Sequence, residues 1–438
     1  MFNPVNEPPF RLDIAGLPDA FEVLAFTGRE AISEPFLFDV DLLIEDPTLD
    51  LASLLYRFAS LHFGPSGNVV HGQLQQLVQR NPGGSDRRCR VQLRPKLACL
   101  AQRFSQRIFS ALTVPQILDQ LLLEHGIVDS ARRFQLSGEY LPRNFCTQYR
   151  ESDLQFLQRL CAQERLHYYF EHQAHRHCVV FGERPEHFRT LEPAVFQATE
   201  GPPAVRQLGY RHRPHHTHNV EGRSDLPTLR SGHLMPLTGH PVPECNDLWL
   251  LTHIEHSGCR QSANPYSNQL RAIHGCEQFW PSQPATKPLM HSPQRAWVVD
   301  VDEPHPDPAR HVAVQFDWLY QGEGATPSHC WLALDESLDC AGSEPLIAGT
   351  EVVVKFIGGD PDQPLITGFL HVATCVEKTQ KARPQIAHPL TVDLQALLRS
   401  GEPLMLICLL PGGGSFSHCP RSFCACRLVT GHDQNGAA

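Results

Sequence analysis

The densest set of metal-binding side chains lies near the C-terminus, where His418-Cys419 is followed by Cys424-x-Cys426, with Cys408 upstream. Thiolate and imidazole are zinc ligands, and four of these residues would complete one tetrahedral site. The usual pair of short Cys-x2-4-Cys knuckles is missing, which favours a reduced Cys-rich tail over zinc. His215-His216-x-His218 and His175-x-His177 offer further imidazoles. No His-Glu-x-x-His pattern joins two ligands to a general base, so both groups read as surface-loop histidines. Gly412-Gly413-Gly414-Ser415 lacks the Lys-Ser/Thr ending of a phosphate loop, and Gly64-Pro65-Ser66-Gly67 is one residue short of a nucleophile elbow. Both read as turns. With 15 Cys and 25 His, a Cys-His or Ser-His-Asp constellation cannot be picked out, because such partners meet in space. The sequence therefore assigns no catalytic, cofactor-binding or metal residue.

The elements that must position these side chains are mostly short strands. Residues 21–26 and 36–42 alternate apolar and polar positions between turn residues, and 69–78 and 89–93 flank the turn signal Asn81-Pro82-Gly83-Gly84. Two helices interrupt the β pattern. Thr113-x-x-Gln116 and Ser152-x-x-Gln155 are capping-box patterns. The first opens a run with Ile117, Leu118, Leu121 and Leu122 at helical spacing that Gly126 should end. The second carries Leu154, Leu157, Leu160 and Cys161 on one side, so helices are expected near 113–125 and 152–165. Residues 167–171 and 178–181 form a hairpin pattern, in which alternation makes at least one face of Tyr168, Tyr169 and Phe170 core. Pro, His and Gly enrich 185–245, which reads as loops and irregular strands, and 249–256 is a further strand. Beyond a Pro-rich linker at 281–293, five short strands at 296–301, 311–318, 330–334, 351–356 and 365–370 suit a small Greek-key barrel of the OB type.

At 438 residues, with 41% hydrophobic side chains and 37 Pro, the chain reads as multidomain, globular and rich in turns. Thirty-seven basic against 47 acidic residues give a formal charge of -10, which argues against duplex nucleic acid as the main partner. The short basic group Arg87-Arg88-Cys89-Arg90 reads as solvated loop residues. If all 25 His titrated near the unperturbed value of about 6.5, the charge would swing steeply there. The irregular Cys spacing and the lack of a basic-then-apolar start predict a reduced cytosolic origin without a signal peptide. The apolar run at 404–410 is seven residues, far short of the roughly 20 needed to span a bilayer, so no stable membrane insertion is expected. That run reads either as a buried strand or as a docking segment for an effector or adaptor, with burial favoured.

Two separate anchors resemble the VgrG family, the spike proteins of bacterial type VI secretion systems, akin to the hub and spike of contractile phage tails. The first is Tyr149-Arg150-Glu151-Ser152-Asp153-Leu154-Gln155-Phe156-Leu157-Gln158-Arg159-Leu160, followed by His167-Tyr168-Tyr169-Phe170-Glu171-His172. The second is Val312-Ala313-Val314-Gln315-Phe316-Asp317-Trp318, then Cys330-Trp331, then Gly349-Thr350-Glu351-Val352-Val353-Val354-Lys355-Phe356 and Gly359-Asp360-Pro361-Asp362-Gln363-Pro364-Leu365-Ile366-Thr367-Gly368. Asn264-Pro265-Tyr266-Ser267-Asn268 matches between them, and the resemblance covers residues 1 to about 373.

The resemblance implies a mainly β fold with some α: a tail-hub-like region over 1–290, an OB-fold spike-base domain over 291–373, and a Cys-containing tail over 374–438. It further implies a non-enzymatic homotrimer whose barrels arrange with pseudo-sixfold symmetry on the hexameric secreted tube, for effector delivery. Such a protein is assembled in the cytoplasm and leaves through the apparatus. A contractile phage tail or tailocin hub is the neighbouring alternative, and a secreted metal-dependent effector enzyme is an alternative of a different class. The family has a longer Gly- and Trp-containing segment where this chain has Ser343-Glu344-Pro345-Leu346-Ile347-Ala348. After His371 the family continues into a triple-stranded β-helix, whereas the 67 residues here carry no sustained short repeat. A needle, and docking of the PAAR tip protein onto it, are therefore not implied.

Overall fold

The computed structural model describes residues 9–44, 46, 48–64, 68–80, 87–173, 176–210, 219–281, 287–302, 310–316, 329–338 and 346–371. Two compact units account for them, and the division is not a single cut in the chain. Residues 1–102, 112–142 and 152–287 belong to the first unit, while 103–111, 143–151 and 288 onward belong to the second.

In the first unit, strands Phe10–Ile14, Phe58–Phe63, Val69–Arg80, Arg87–Arg94, Glu34–Ile44 and Phe21–Ala31 pair in that order, and Phe21–Ala31 pairs back to Phe10–Ile14. Six antiparallel strands thus return on themselves as a barrel. Period-two alternation explains its filling: Phe36, Phe38, Val40, Leu42 and Ile44 of one strand are all buried. A second circuit shares the sheet. Leu248–Cys259 pairs with Tyr266–His274, then Val220–Ser224, then Val205–Tyr210; Val205 bridges Phe196, and Ala194–Val195 pairs with His233–Thr238, which returns to Leu248–Cys259. Its core is Val205, Val220, Met235, Trp249, Ile254 and Leu270.

Helices α1 (Val114–Glu124) and α2 (Asp153–Gln163) both start with complete capping boxes, at Thr113/Gln116 and Ser152/Gln155. Gly126 follows α1 with φ +64°, a left-handed conformation that glycine adopts without a Cβ penalty. The buried side of α2 is wider than its spacing indicates. Phe156 and Arg159 are buried with Leu157, Leu160 and Cys161, whereas Leu154 is only partly covered. The hairpin of His167–Gln173 and Arg176–Gly182, with Arg132–Gln135 added in parallel, buries Tyr168, Tyr169 and Phe170 on both faces. Ser33, in the turn between Phe21–Ala31 and Glu34–Ile44, donates its N–H to Tyr168 O at 2.7 Å and its carbonyl accepts from Gln158 Nε2.

Two expectations about charge are corrected here. The basic group at 87–90 is strand, not loop: Cys89 is buried and Arg90 makes a two-pronged contact with Asp41 at 2.8 and 2.7 Å. Alternation sends Cys89 inward and Arg90 toward its cross-strand partner. His177 is likewise no surface-loop residue, because it faces inward from Arg176–Gly182 and is buried.

In the second unit, Gln294–Val298, His311–Phe316, Cys330–Leu334, Pro364–His371 and Glu351–Phe356 close a five-stranded barrel. Ala296, Val298, Val314, Phe316, Leu332, Val352, Val354 and Ile366 fill it at alternate positions. Ile108, Phe145 and Tyr149 pack on that core from the earlier stretches of chain. The turn Gly359-Asp360-Pro361-Asp362 ties the later of these stretches: Thr147 donates its N–H to Asp362 Oδ1 at 2.5 Å and its hydroxyl to Pro361 O at 2.8 Å.

Candidate functional site

The feature that unites the first unit is the seam between its two circuits. Phe21–Ala31 and Leu248–Cys259 pair antiparallel from His253↔Ala31 to Cys259↔Ala25. Alternation along them turns Phe26, Gly28 and Glu30, and Ile254, His256 and Gly258, to the buried side. The two glycines are required. A Cβ on Gly258 would enter the ring of Phe26, its direct cross-strand partner, and one on Gly28 would enter the ring of Phe38. The rings then pack onward, edge-on for Phe10–Phe26 with centroids 5.2 Å apart, tilted for Phe26–Phe63 at 5.0 Å and stacked for Phe63–Tyr266 at 5.4 Å.

Against this aromatic wall sits a buried ionic junction. Glu30 Oε1 lies 3.3 Å from His256 Nε2 and 3.7 Å from Arg230 Nε, and Glu30 Oε2 faces the Ser231 N–H at 3.3 Å. Arg230 spends its other donors on Asn68 Oδ1 at 2.7 Å and on the carbonyls of Pro227 and Leu229, with its guanidinium 5.2 Å above Phe63. His256 Nδ1 contacts the Tyr266 hydroxyl at 2.7 Å, and Asn268 Nδ2 donates to that oxygen and to Leu226 O. Burial alone would raise the Glu30 carboxyl, but Arg230 and then His256 outweigh it and bring it down to about 2. His256 is pushed below its ordinary range by burial, with Glu30 pulling the other way. Near neutral pH the junction is therefore a Glu30 carboxylate paired with Arg230, with neutral His256 beside it.

A line of buried and half-buried imidazoles extends from it. His172 Nδ1 accepts the His71 N–H at 3.1 Å, His177 Nε2 accepts the Lys96 N–H at 3.3 Å, and Phe36 lies edge-on to both His172 and His177. Burial lowers His172 well below 6.5, takes His177 to about 4 and lowers His233 as well. His167, stacked on Phe188 with centroids 4.4 Å apart, falls to about 3 for the same reason. These five imidazoles, His256 included, are held below 6.5 and so drop out of the expected charge swing.

What this arrangement can do is hold two circuits in one register. A desolvated ion pair whose charges face each other across the seam specifies geometry, whereas catalysis needs access for a reactant. Among the described residues no group of three or more His, Cys, Asp or Glu is arranged to hold a metal ion. The zinc candidates Cys408, His418, Cys419, Cys424 and Cys426, the imidazoles of His215, His216 and His218, the glycines at 412–414 and the apolar run at 404–410 all lie outside the described residues. Glu30, Arg230 and His256 escaped sequence reasoning. The available signal was parity, since Glu30 occupies an inward position on a strand whose other inward positions are Phe26 and Gly28.

Residues 29–218 match the phage tail baseplate hub (GPD) family. The Pseudomonas aeruginosa type VI secretion system spike protein VgrG4b is 34% identical across 90% of this chain, and VgrG5 of the same organism is 34% identical across 85%. In sequence and in fold, the chain resembles the VgrG spike proteins. It spans 58% of the length of each of those two relatives. Among solved structures, an E. coli protein described as a type VI secretion component similar to T4 tail proteins gp27 and gp5 superposes with a TM-score of 0.70, at 24% identity. That match covers 82% of this chain and 99% of the E. coli chain, so the VgrG-type hub fold extends over both described units. Among the described residues, the mainly β architecture with two α-helices and a five-stranded barrel agrees with the fold class read from the sequence.

Proposed function

We propose that this chain is a structural hub and spike-base component of a type VI secretion system, acting as a homotrimeric platform at the tip of the secreted tube for effector delivery. The observation that carries the reading is the pair of closed β circuits joined through one seam, in a chain aligned with VgrG spike proteins over most of its length. Three copies with two barrels each would offer six β surfaces to a hexameric tube ring, and a heterologous contact repeated around a threefold axis closes without leaving free ends. The work is mechanical rather than enzymatic: large surfaces must hold while the sheath contracts. Assembly in the cytoplasm, exit through the apparatus, and contacts with an effector or adaptor belong to the same reading. The PAAR tip protein enters it where a needle is supplied.

The baseplate-hub match over 29–218 favours a second reading, a hub of a contractile phage tail or tailocin. Both are tested by mixing the purified protein with hexameric tube protein and following them on a density gradient. Co-migration of one trimer with one ring supports the secretion platform. Binding to a phage tail-tube protein in its place supports the second reading, and failure to bind either removes the platform role.

A further inference from the structure

A second constellation lies away from the seam, where Tyr266–His274 ends. The chain turns through Gly275 and Cys276, with Glu277 N–H donating to His274 O at 2.9 Å. This turn returns Cys276 onto the preceding imidazole: Cys276 Sγ is 3.0 Å from His274 Nδ1, and the Cys276 N–H faces the same nitrogen at 3.4 Å. His274 Nε2 meets Asp247 Oδ2 at 2.9 Å, while Asp247 Oδ1 accepts the Leu248 N–H at 2.7 Å. Both carboxylate oxygens are therefore fixed. The Leu248 N–H, and after it His274, hold the Asp247 carboxyl below its ordinary value. The tautomer follows from the partners. Nε2 carries the proton toward the carboxylate, and Nδ1 presents its lone pair to two donors, one of them the thiol.

We propose that Cys276, His274 and Asp247 form a reactive thiol site that undergoes exchange with small disulfides. His274 Nδ1 takes the Sγ proton, and the imidazolium that forms is held by Asp247. The Cys276 thiolate attacks one sulfur of a disulfide R–S–S–R. The Cys276 S–S–R bond forms as the original S–S bond breaks, the departing R–S⁻ takes the proton from His274, and R–SH leaves. Cys276 is oxidised to a mixed disulfide while one sulfur of the reagent is reduced to thiol, so the exchange balances. The thiol is exposed on a turn, so a small, flexible disulfide reaches it without a binding cleft. Asp247 acts through His274 and is a positioning residue.

The other exposed thiol among the described residues supplies the comparison. Cys259 ends Leu248–Cys259, and no imidazole of the described residues is bonded to its sulfur. A base placed to take the proton as the sulfur attacks speeds exchange, for an expected gain of about tenfold in rate. The test treats the full-length reduced chain with limiting oxidised glutathione and measures mixed-disulfide formation at each cysteine by peptide mass spectrometry. Cys276 is expected to react about tenfold faster than Cys259. His274→Gln should bring Cys276 down to the Cys259 rate, and Asp247→Asn should lower it in part, with Cys259 unchanged in both. Equal rates at the two cysteines in the unaltered chain, or an undiminished Cys276 rate in His274→Gln, would overturn the proposal.

Discussion

Glu30 stays ionised inside a protein interior because Arg230 and His256 reach it from segments far along the chain; Ser231, beside Arg230, is 201 positions away. No spacing rule links such residues, and a strand-parity argument could find the odd inward carboxylate but not its partners. The capping boxes were legible, by contrast, because Thr113 with Gln116 and Ser152 with Gln155 are local pairs whose geometry the helix itself sets. The buried imidazoles predict a pH dependence of opposite sense to that of a His gaining a salt bridge. His167 near 3 and His177 near 4 lie below the ordinary 6.5, so the unfolded chain binds protons that the folded chain refuses. Their contribution is complete above about pH 6.5 and lost as the pH falls toward those values, at about 1 kcal/mol each by pH 5.5. His172, His233 and His256 shift in the same direction, and Glu30 adds a loss between 4.5 and about 2. Urea midpoints measured from pH 7.5 to 5 should fall steadily below 6.5. A flat profile to pH 5 would mean that these imidazoles are solvated.

Elements that complete their own pattern were read from sequence with small boundary errors. The strand seen at 21–26 extends to Phe21–Ala31, and the one seen at 296–301 is Gln294–Val298. Strands that depend on neighbours were missed. Phe10–Ile14 and Phe58–Phe63 are short, and their register comes from closing the six-stranded circuit rather than from their own residues. The seam shows why glycine belongs in two of these strands despite its poor strand propensity, since Phe26 and Phe38 occupy the space that a Cβ would need. Gly258→Ala should therefore force the Phe26 ring out of place and destabilise the first unit by roughly 1–3 kcal/mol, as overpacking does. Chemical denaturation would register the loss as a lower midpoint. An unchanged midpoint would show that the ring has room to move. Gly368, where a Cβ would meet nothing within 4 Å, is the matched site at which the same change should leave stability within about 0.5 kcal/mol.

For the whole molecule, the family resemblance was legible because the strand-turn motifs that carry it are local in sequence. The turn at Gly359-Asp360-Pro361-Asp362 is an example: it is conspicuous as sequence, and in the fold it binds Thr147 from a stretch some two hundred residues earlier. That tie explains what composition could not, namely why residues 143–151 belong with the five-stranded barrel. The central claim, a trimeric platform, rests on surfaces between copies, which a single chain's pattern of core and turn does not encode. The direct measurement is the light-scattering mass of the purified, reduced protein near pH 8, where the buried imidazoles are neutral and the fold is at full stability. The account predicts three times the chain mass of 49.1 kDa, unchanged on dilution through the micromolar range. A single chain mass at every concentration would contradict it.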